Sequence, residues 1–317
     1  MVRRHLLRIL ILLIICVALV LVYRSLSRYS LEDITSSLSQ IPSYRIITGF
    51  LCVIASYICL SLFDYLGLRY VGKGQAYPRA ALASFCALSI GHNVGGAALS
   101  SGAVRYRFYT RWGLSGDEVA KVILFCGATV LLGLSMLAAI ALILMPPTGE
   151  TILQLDPGPR KLLGLAFLAY PVAYVICSIW GRPPLKFRSF RMEMPTTSMC
   201  IAQIAVGTVN FGFVAAALHQ LLTAFTDAGY LQVASAYVTA TIAAMLSHVP
   251  GGLGVLEATM LMVLPAGASI GSLVAFRVLY YFVPLLIGAP LFLLTEILAR
   301  REGPGRSEPS GEAAHQA

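Results

Sequence analysis

The pattern His-x-x-Gly-Gly occurs twice in this chain, half a chain apart, and each copy interrupts an apolar segment. The first copy runs from His92 to Gly96 (HNVGG) and the second from His248 to Gly252 (HVPGG). Lipid offers no partner to an unpaired backbone N–H or C=O group, so broken backbone at membrane depth survives only where protein or a water-filled cavity surrounds it. Two such breaks in corresponding halves of a chain are the best sequence indication of a transporter's binding site.

Apolar stretches of membrane-spanning length recur along the whole sequence, which is 58% hydrophobic and 12% charged. A soluble domain would be about 25% charged. The pattern therefore predicts an all-α, polytopic integral membrane protein. Full spans are expected at 6–23, 44–68, 119–145, 161–180, 197–222 and 271–298, and broken segments at 80–104 and 231–268. A cleaved signal peptide is the alternative for 6–23.

Residues 1–299 are expected to form one transmembrane domain, and 300–317 a disordered cytoplasmic tail. The net charge of +9 comes from basic residues in short loops beside apolar segments, which is typical of topology determinants rather than of nucleic-acid binding. The seven cysteines lie in apolar stretches and are interpreted as small buried hydrophobic residues. No metal-ligand spacing or cofactor motif is found.

The charge distribution favours re-entrance of both broken segments, entering the membrane from opposite faces. Both termini and most of the 23 lysines and arginines then share one side, which the positive-inside rule makes cytoplasmic. If only 80–104 crossed fully, the basic loops at 105–121 and 182–191 would lie on opposite sides. The residues predicted to form the re-entrant backbone are Gly95, Gly96, Pro250, Gly251, Gly252 and Gly254. Close packing between ordinary helices is the alternative for both glycine pairs.

Charged residues inside a membrane are costly and indicate function or pairing. Arg277 stays protonated and needs a partner, for which Glu257 and an anionic phosphate are the candidates. A structural Arg–Glu pair is the alternative to substrate contact. Arg105 and Arg107 either receive a headgroup phosphate or anchor the chain at the interface. Asp64 is a further candidate, with a snorkelling or capping carboxylate as the alternative.

Polar residues at the two breaks complete the predicted substrate-binding set. His92 and His248 titrate near neutral pH, which suits proton coupling, although a histidine in a helix break is also typical of a satisfied hydrogen-bonding group. Asn93 follows His92 in the first break. Serine-hydrolase, Walker and dinucleotide-binding motifs are absent from the sequence, so an enzyme is not expected.

Two blocks of sequence resemble a known family. Phe63 to Gly72 (FDYLGLRYVG), Gly102 to Tyr109 (GAVRYRFY) and Trp112 to Ser115 (WGLS) resemble the transmembrane half of the lysylphosphatidylglycerol synthase/flippase family, the multiple peptide resistance factors. Pro250 to Glu257 (PGGLGVLE) resembles the second motif of that family and of its stand-alone YbhN-type relatives.

The resemblance implies a lipid translocase of the bacterial inner membrane with re-entrant helices. By motif position it implies roles for Asp64, Arg105, Arg107, Gly251, Gly252 and Glu257, while His92 departs from a motif region that is richer in asparagine in the family. The sequence ends soon after the last span, so the family's aminoacylation is not expected here, and the identity of the lipid stays open.

The leading hypothesis is a passive or ion-coupled flippase for an anionic or aminoacylated phospholipid. Its expected partners are membrane phospholipid, a second copy of the chain in a homo-oligomer, or a separate lipid-modifying enzyme. The alternatives are an intramembrane lipid-phosphate enzyme and a non-transporting membrane partner of such an enzyme. Undecaprenyl-pyrophosphate phosphatases also use inverted re-entrant helices, but their paired glutamates and Ser-Arg-Ser-Gly loop are missing from the sequence.

Overall fold

The computed structural model describes residues 35–36, 39–94, 97–146, 156–181, 185–187, 190–247, 249–264 and 270–301. The predicted first span at 6–23, with its signal-peptide alternative, lies outside the described residues. So do Gly95, Gly96, His248 and nearly all of the predicted tail.

The described chain is helical apart from one short strand pair. The helices are α1 (Ser43–Tyr70), α2 (Tyr77–Val94), α3 (Ala97–Arg111), α4 (Gly116–Leu144), α5 (Pro157–Ile179), α6 (Thr197–Leu222), α7 (Tyr230–Ser247), α8 (Val255–Val263), α9 (Ile270–Arg277) and α10 (Val283–Arg301). Strands β1 (Leu185–Phe187) and β2 (Phe190–Met192) pair antiparallel between α5 and α6, with Lys186 opposite Arg191.

Among the described residues, six helical stretches are long and apolar enough to cross a membrane. Five of them correspond to predicted spans: α1, α4, α5, α6 and the continuous run from α9 into α10. The sixth, α7, is the first arm of the second broken segment. Its 18 residues measure about 27 Å at 1.5 Å per residue. The all-α membrane fold is therefore confirmed, while re-entrance into a bilayer stays a prediction.

The outer surface of the bundle is apolar and its interior contains many of the polar groups. Large apolar side chains such as Leu162, Trp180 and Leu286 are mostly exposed, as expected of a surface that faces lipid tails. Gln203 lies fully buried between three helices, where its amide donates to Thr129 of α4 at 2.9 Å and accepts from Tyr174 of α5 at 2.9 Å. Interhelical hydrogen bonds of this kind hold membrane helices together in the absence of a hydrophobic driving force.

The helices have two distinguishable ends. At the basic end, Tyr70 at the end of α1 lies in a shallow groove with Glu118 and Lys121 at the start of α4 and Arg191 of β2. At the opposite end, Arg45 at the start of α1 hydrogen bonds Thr223 after α6. Successive long helices therefore alternate in direction between these two ends.

The first broken segment folds into a helical hairpin of α2 and α3, which we call the first hairpin. Six residues separate it from the end of α1, and it ends just before the start of α4. Its outer ends therefore both lie at the basic end. Gly91 of α2 packs so closely on α3 that an added Cβ would lie 2.7 Å from Cβ of Ser101. The segment extends to Arg111, beyond the predicted boundary at 104. Hydropathy missed the second half of α3 because Arg105, Arg107 and Arg111 make it polar, although these arginines contact carboxylates of the protein.

The second broken segment folds into a second hairpin, formed by α7, a turn at Pro250–Gly252, and α8. It follows the end of α6, and the next helix, α9, returns to that end, where the Ser272 hydroxyl donates to the Leu221 carbonyl at 3.0 Å. Gly251, Gly252 and Gly254 have φ angles of 61°, 59° and 82°. Side chains are disfavoured in this region, so these glycines make a chain turn at the second break.

Candidate functional site

The tips of the two hairpins meet halfway along the bundle. A Cβ added to Gly251 would lie 3.5 Å from the carbonyl oxygen of His92 and 3.7 Å from that of Asn93. The His92 ring also lies 6.4 Å, between centroids, from the ring of Tyr57, which is at the middle of α1. His92 and Asn93 of the first break and Gly251 of the second therefore lie against each other midway along the bundle.

A buried ion pair closes the turn of the second hairpin. The Arg277 Nη2 donates to Glu257 Oε2 at 2.9 Å, and its Nε donates to Oε1. The guanidinium also donates to the carbonyl oxygens of Gly251 and Gly252, both at 3.0 Å. Arg277 and Glu257 are 2% and 5% exposed, so the charges are almost fully removed from solvent. Glu257 is thus the partner that Arg277 requires, and this is one of the alternatives that the sequence left open.

Glu257 has a second role at the start of α8. Its Oε2 accepts from the backbone N–H of Gly254 at 2.9 Å, which satisfies a donor that the first turn of a helix leaves free. Together these contacts give the broken backbone polar partners within the protein, as membrane depth demands. The turn, the cap and the arginine form one connected unit.

The first break supplies His92 and Asn93. The Asn93 amide donates to the carbonyls of Ser89 at 2.8 Å and Tyr281 at 3.1 Å, so it fastens α2 to the segment after Arg277. The His92 ring stacks on Tyr280 at 5.8 Å between centroids. Its Nδ1 is buried and has no hydrogen-bond partner within the part of the chain that the structure describes. Among the described residues, the His92 ring therefore has one nitrogen that no hydrogen bond satisfies.

A π-helical turn at Val278–Phe282 extends this polar region beyond the predicted residues. It carries Tyr280, whose hydroxyl lies 3.4 Å from Ser56 Oγ, and Ser56 in turn donates to Asn210 at 2.7 Å. The Nδ2 of Asn210 is buried without a partner among the described residues. Sequence reasoning missed Ser56, Asn210 and Tyr280. The available signal was Asn210, an amide in the apolar span 197–222.

Asp64 and Arg105 form a second buried pair. The Arg105 Nε and Nη2 donate to the two Asp64 oxygens at 2.6 Å and 2.8 Å, and Nη1 donates to Ser101 Oγ at 2.8 Å. The Tyr109 hydroxyl also donates to Asp64. Both charged residues are buried, which favours an internal ion pair over a snorkelling carboxylate or an arginine anchored at the interface. The pair holds α3 against α1.

Arg107 lies apart from this pair, at the basic end. Its Nη2 donates to Glu296 Oε2 at 2.6 Å, and Arg111 donates to the other Glu296 oxygen. Neither Arg111 nor Glu296 was predicted as a site residue from the sequence. The signal for Glu296 was a single carboxylate inside the apolar span 271–298.

The site is thus a set of paired charges and partly unsatisfied polar groups, arranged around two broken helices. Guanidinium groups and amide donors bind phosphate and carbonyl oxygens. An anionic or zwitterionic group that entered this region would find both donors and acceptors. His248 lies outside the described residues, so its position relative to this set stays a prediction.

Comparison with known proteins agrees with this architecture. No protein family model matches the chain. An uncharacterised protein of Synechocystis is 29% identical over 264 residues, which cover 82% of each chain. The inner membrane protein YbhN of Escherichia coli is 28% identical over 259 residues, 78% of this chain and 79% of YbhN.

A third relative is much longer than the matched region. Phosphatidylglycerol lysyltransferase of Staphylococcus aureus is 23% identical over 287 residues, which cover 87% of this chain but 32% of the lysyltransferase. The resemblance indicated by the two motif blocks is confirmed: the chain is a homologue of the YbhN inner membrane protein and of the transmembrane part of phosphatidylglycerol lysyltransferase.

Proposed function

We propose that this protein is a multi-pass protein of the bacterial inner membrane that moves phospholipid headgroups between leaflets, without catalysing a chemical step. The observation that supports this best is the meeting of two oppositely directed helical breaks at mid-depth, where a fixed polar site can open alternately to each face. The membrane location is supported by the similarity to an inner membrane protein and by the six apolar helical stretches.

In the proposed mechanism, the headgroup crosses between the two hairpins while the acyl chains stay in lipid. Arg277 is the proposed phosphate-binding group, because it already holds two carbonyls and a carboxylate through a fork of N–H groups. When the phosphate leaves, the Glu257 carboxylate pairs with the guanidinium again. The same carboxylate can also bind a cationic headgroup. Nδ1 of His92 and Nδ2 of Asn210, which have no hydrogen-bond partner among the described residues, are proposed to hydrogen bond headgroup oxygens.

Four further predicted residues have different parts in this mechanism. Asp64 and Arg105 neutralise one another in a bidentate pair, so we propose that they position the first hairpin for the substrate. Arg107 is half-buried at the basic end, and we propose that it meets the headgroup before the central site does. Asn93 positions His92 by its bonds to Ser89 and Tyr281.

The experiment measures lipid movement by the purified full chain in vesicles that contain fluorescent phosphatidylglycerol. Dithionite quenches label in the outer leaflet only, so a lipid translocase makes the inner-leaflet label accessible. We expect Glu257→Gln combined with Arg277→Met to slow this exchange by about tenfold, the loss of one charged hydrogen bond. Removing both charges together avoids leaving one of them buried alone.

Arg191→Gln is the matched control, because it removes an exposed arginine that is paired with Glu193 at 3.3 Å. It should leave the exchange rate unchanged. Exchange no faster than in protein-free vesicles would refute the proposal. Release of phosphate from the lipid would support an enzyme instead, and a stable co-purifying enzyme without lipid movement would support a partner role.

A further inference from the structure

We propose that Arg107 and Arg111 form a docking site for the phosphate of an anionic phospholipid at the basic end, and that Glu296 occupies this site until a lipid replaces it. This inference rests on the proposed function, because it names the place where the substrate enters.

The carboxylate of Glu296 lies between the guanidinium groups of Arg107 and Arg111. The Glu296 side chain is 5% exposed, whereas those of Arg107 and Arg111 are 31% and 29% exposed. The anion is therefore internal and the cations reach the surface. Two arginines thus face one glutamate, and both arginine side chains are accessible.

Arg107 uses only part of its guanidinium group to bind Glu296. Only Nη2 of Arg107 contacts the carboxylate, and its Nε is buried without a hydrogen-bond partner among the residues that the structure describes. Arginine binds oxyanions best through two parallel N–H groups. By contrast, Arg105 and Arg277 each contact both oxygens of their carboxylates. The one-point contact at Arg107 is the arrangement that a competing phosphate can replace at small cost.

The surroundings of the cluster fit a lipid better than a free anion. Leu294, Ile297 and Leu298 of α10 flank Glu296 and are 48–50% exposed, which gives acyl chains an apolar surface beside the basic pair. Trp112 follows Arg111 directly and packs on the Phe108 ring at 5.9 Å between centroids. Tryptophan is typical of the membrane–water interface, which is the depth of a phospholipid phosphate.

Trp112 also provides the measurement. The sequence has two tryptophans, and Trp180 is 76% exposed at the end of α5, so Trp180→Phe leaves Trp112 as the single tryptophan, which can be excited selectively at 295 nm or above. The full chain in this background is placed in vesicles that contain brominated phosphatidylglycerol or brominated phosphatidylcholine. Quenching of Trp112 then gives the affinity for the anionic lipid relative to the neutral one.

We expect Arg107→Gln to lower this selectivity about threefold, and Arg107→Gln with Arg111→Gln to lower it about tenfold, as for one and two partly exposed ion pairs. Glu296→Gln removes the competing charge and should raise the selectivity about threefold. Inorganic phosphate should not compete with the brominated anionic lipid. Equal competition by inorganic phosphate would identify a free anion as the ligand and overturn the lipid site.

The matched controls are Arg191→Gln and Glu193→Gln, an exposed ion pair at the same end of the bundle, which should leave the selectivity unchanged. Arg107→Gln decides the test even if Glu296→Gln does not fold, because Arg107 is partly exposed and is bonded to one carboxylate oxygen. Unchanged selectivity in folded Arg107→Gln, or lower selectivity in folded Glu296→Gln, would overturn the proposal.

Lipid exchange measured on the same samples separates the two proposals. A protein that exchanges lipid, but shows the same Trp112 selectivity with and without Arg107, contradicts the docking site alone. A protein that shows the selectivity, but exchanges no lipid, contradicts the proposed function alone.

Discussion

At the scale of single residues, each buried carboxylate in the described part of the chain is neutralised by an arginine from another element. Asp64 pairs with Arg105 and Glu257 with Arg277, while Glu296 is shared by two arginines. Removing one member of such a pair leaves a charge that lipid and protein cannot solvate. The pairs therefore fix which helices lie together.

The central pair gives a prediction about stability. Glu257→Gln keeps an oxygen that can accept from the Gly254 N–H but removes the charge that faces Arg277. We expect a loss of about 3 kcal/mol in the free energy of unfolding, since the buried Arg277 loses the counter-charge that Glu257 supplies. Adding Arg277→Met should restore most of that loss. The measurement is helix content by circular dichroism during a titration of detergent-solubilised protein with sodium dodecyl sulfate.

Glu118→Gln is the comparison for this prediction. Glu118 caps the start of α4 by accepting from the Ser115 N–H at 2.7 Å, a contact that glutamine can keep at the surface. Its unfolding midpoint should stay near that of the wild type. If the double variant were less stable than Glu257→Gln alone, the two substitutions would act separately. That result would contradict the view that Arg277 and Glu257 form one neutral unit.

The sequence predicts which of these residues need partners better than it predicts the partners themselves. Arg277 in an apolar span requires neutralisation, and Glu257 was one of the candidates. Asp64 and Arg105, 41 residues apart, were expected as separate members of the site, because nothing in local spacing brings α1 and α3 together. Glu296, 189 residues from Arg107, was missed because a lone carboxylate near the end of a span resembles an interfacial residue.

At the scale of elements, the helices approach closely where glycines face each other. Gly133 of α4 crosses Gly207 of α6 so tightly that a Cβ added to Gly133 would lie 2.4 Å from the carbonyl carbon of Gly207. Membrane helices gain their packing energy from such close contacts. The hydropathy pattern predicts that α4 and α6 exist, but it contains no information about which glycine faces which.

This crossing gives a second prediction. Gly133→Ala forces a methyl group into the backbone of α6 and should lower the free energy of unfolding by about 2 kcal/mol, as overpacking does. Gly127→Ala in the same helix is the control, because a Cβ there meets nothing within 4 Å. It should be neutral or stabilise the helix by up to about 1 kcal/mol. Equal effects of both variants in the same detergent titration would show that helix propensity, and not the crossing, decides the outcome.

At the scale of the whole molecule, two hairpins enter the bundle from opposite ends and meet at His92, Asn93 and Gly251. The two His-x-x-Gly-Gly motifs and the uneven distribution of basic residues together predicted two segments that enter from opposite ends. Neither could predict that the tips touch, or that the π-helical turn at Val278–Phe282 packs against them, since both depend on contacts between distant segments. The inverted arrangement supports a central site that either face can reach.

Membrane topology gives the last prediction. Single cysteines at Gly74 and Asp117, in a background free of native cysteines, flank the first hairpin, and those at Asp227 and Ile270 flank the second. All four positions are exposed. We expect a membrane-impermeant maleimide to label the first two only from the cytoplasmic face, because the basic end follows the positive-inside rule. The second two should react only from the other face. If the two cysteines that flank either hairpin reacted from different faces, that hairpin would cross the membrane, the two breaks could not form one site open to both sides, and the proposed path for a headgroup would be lost.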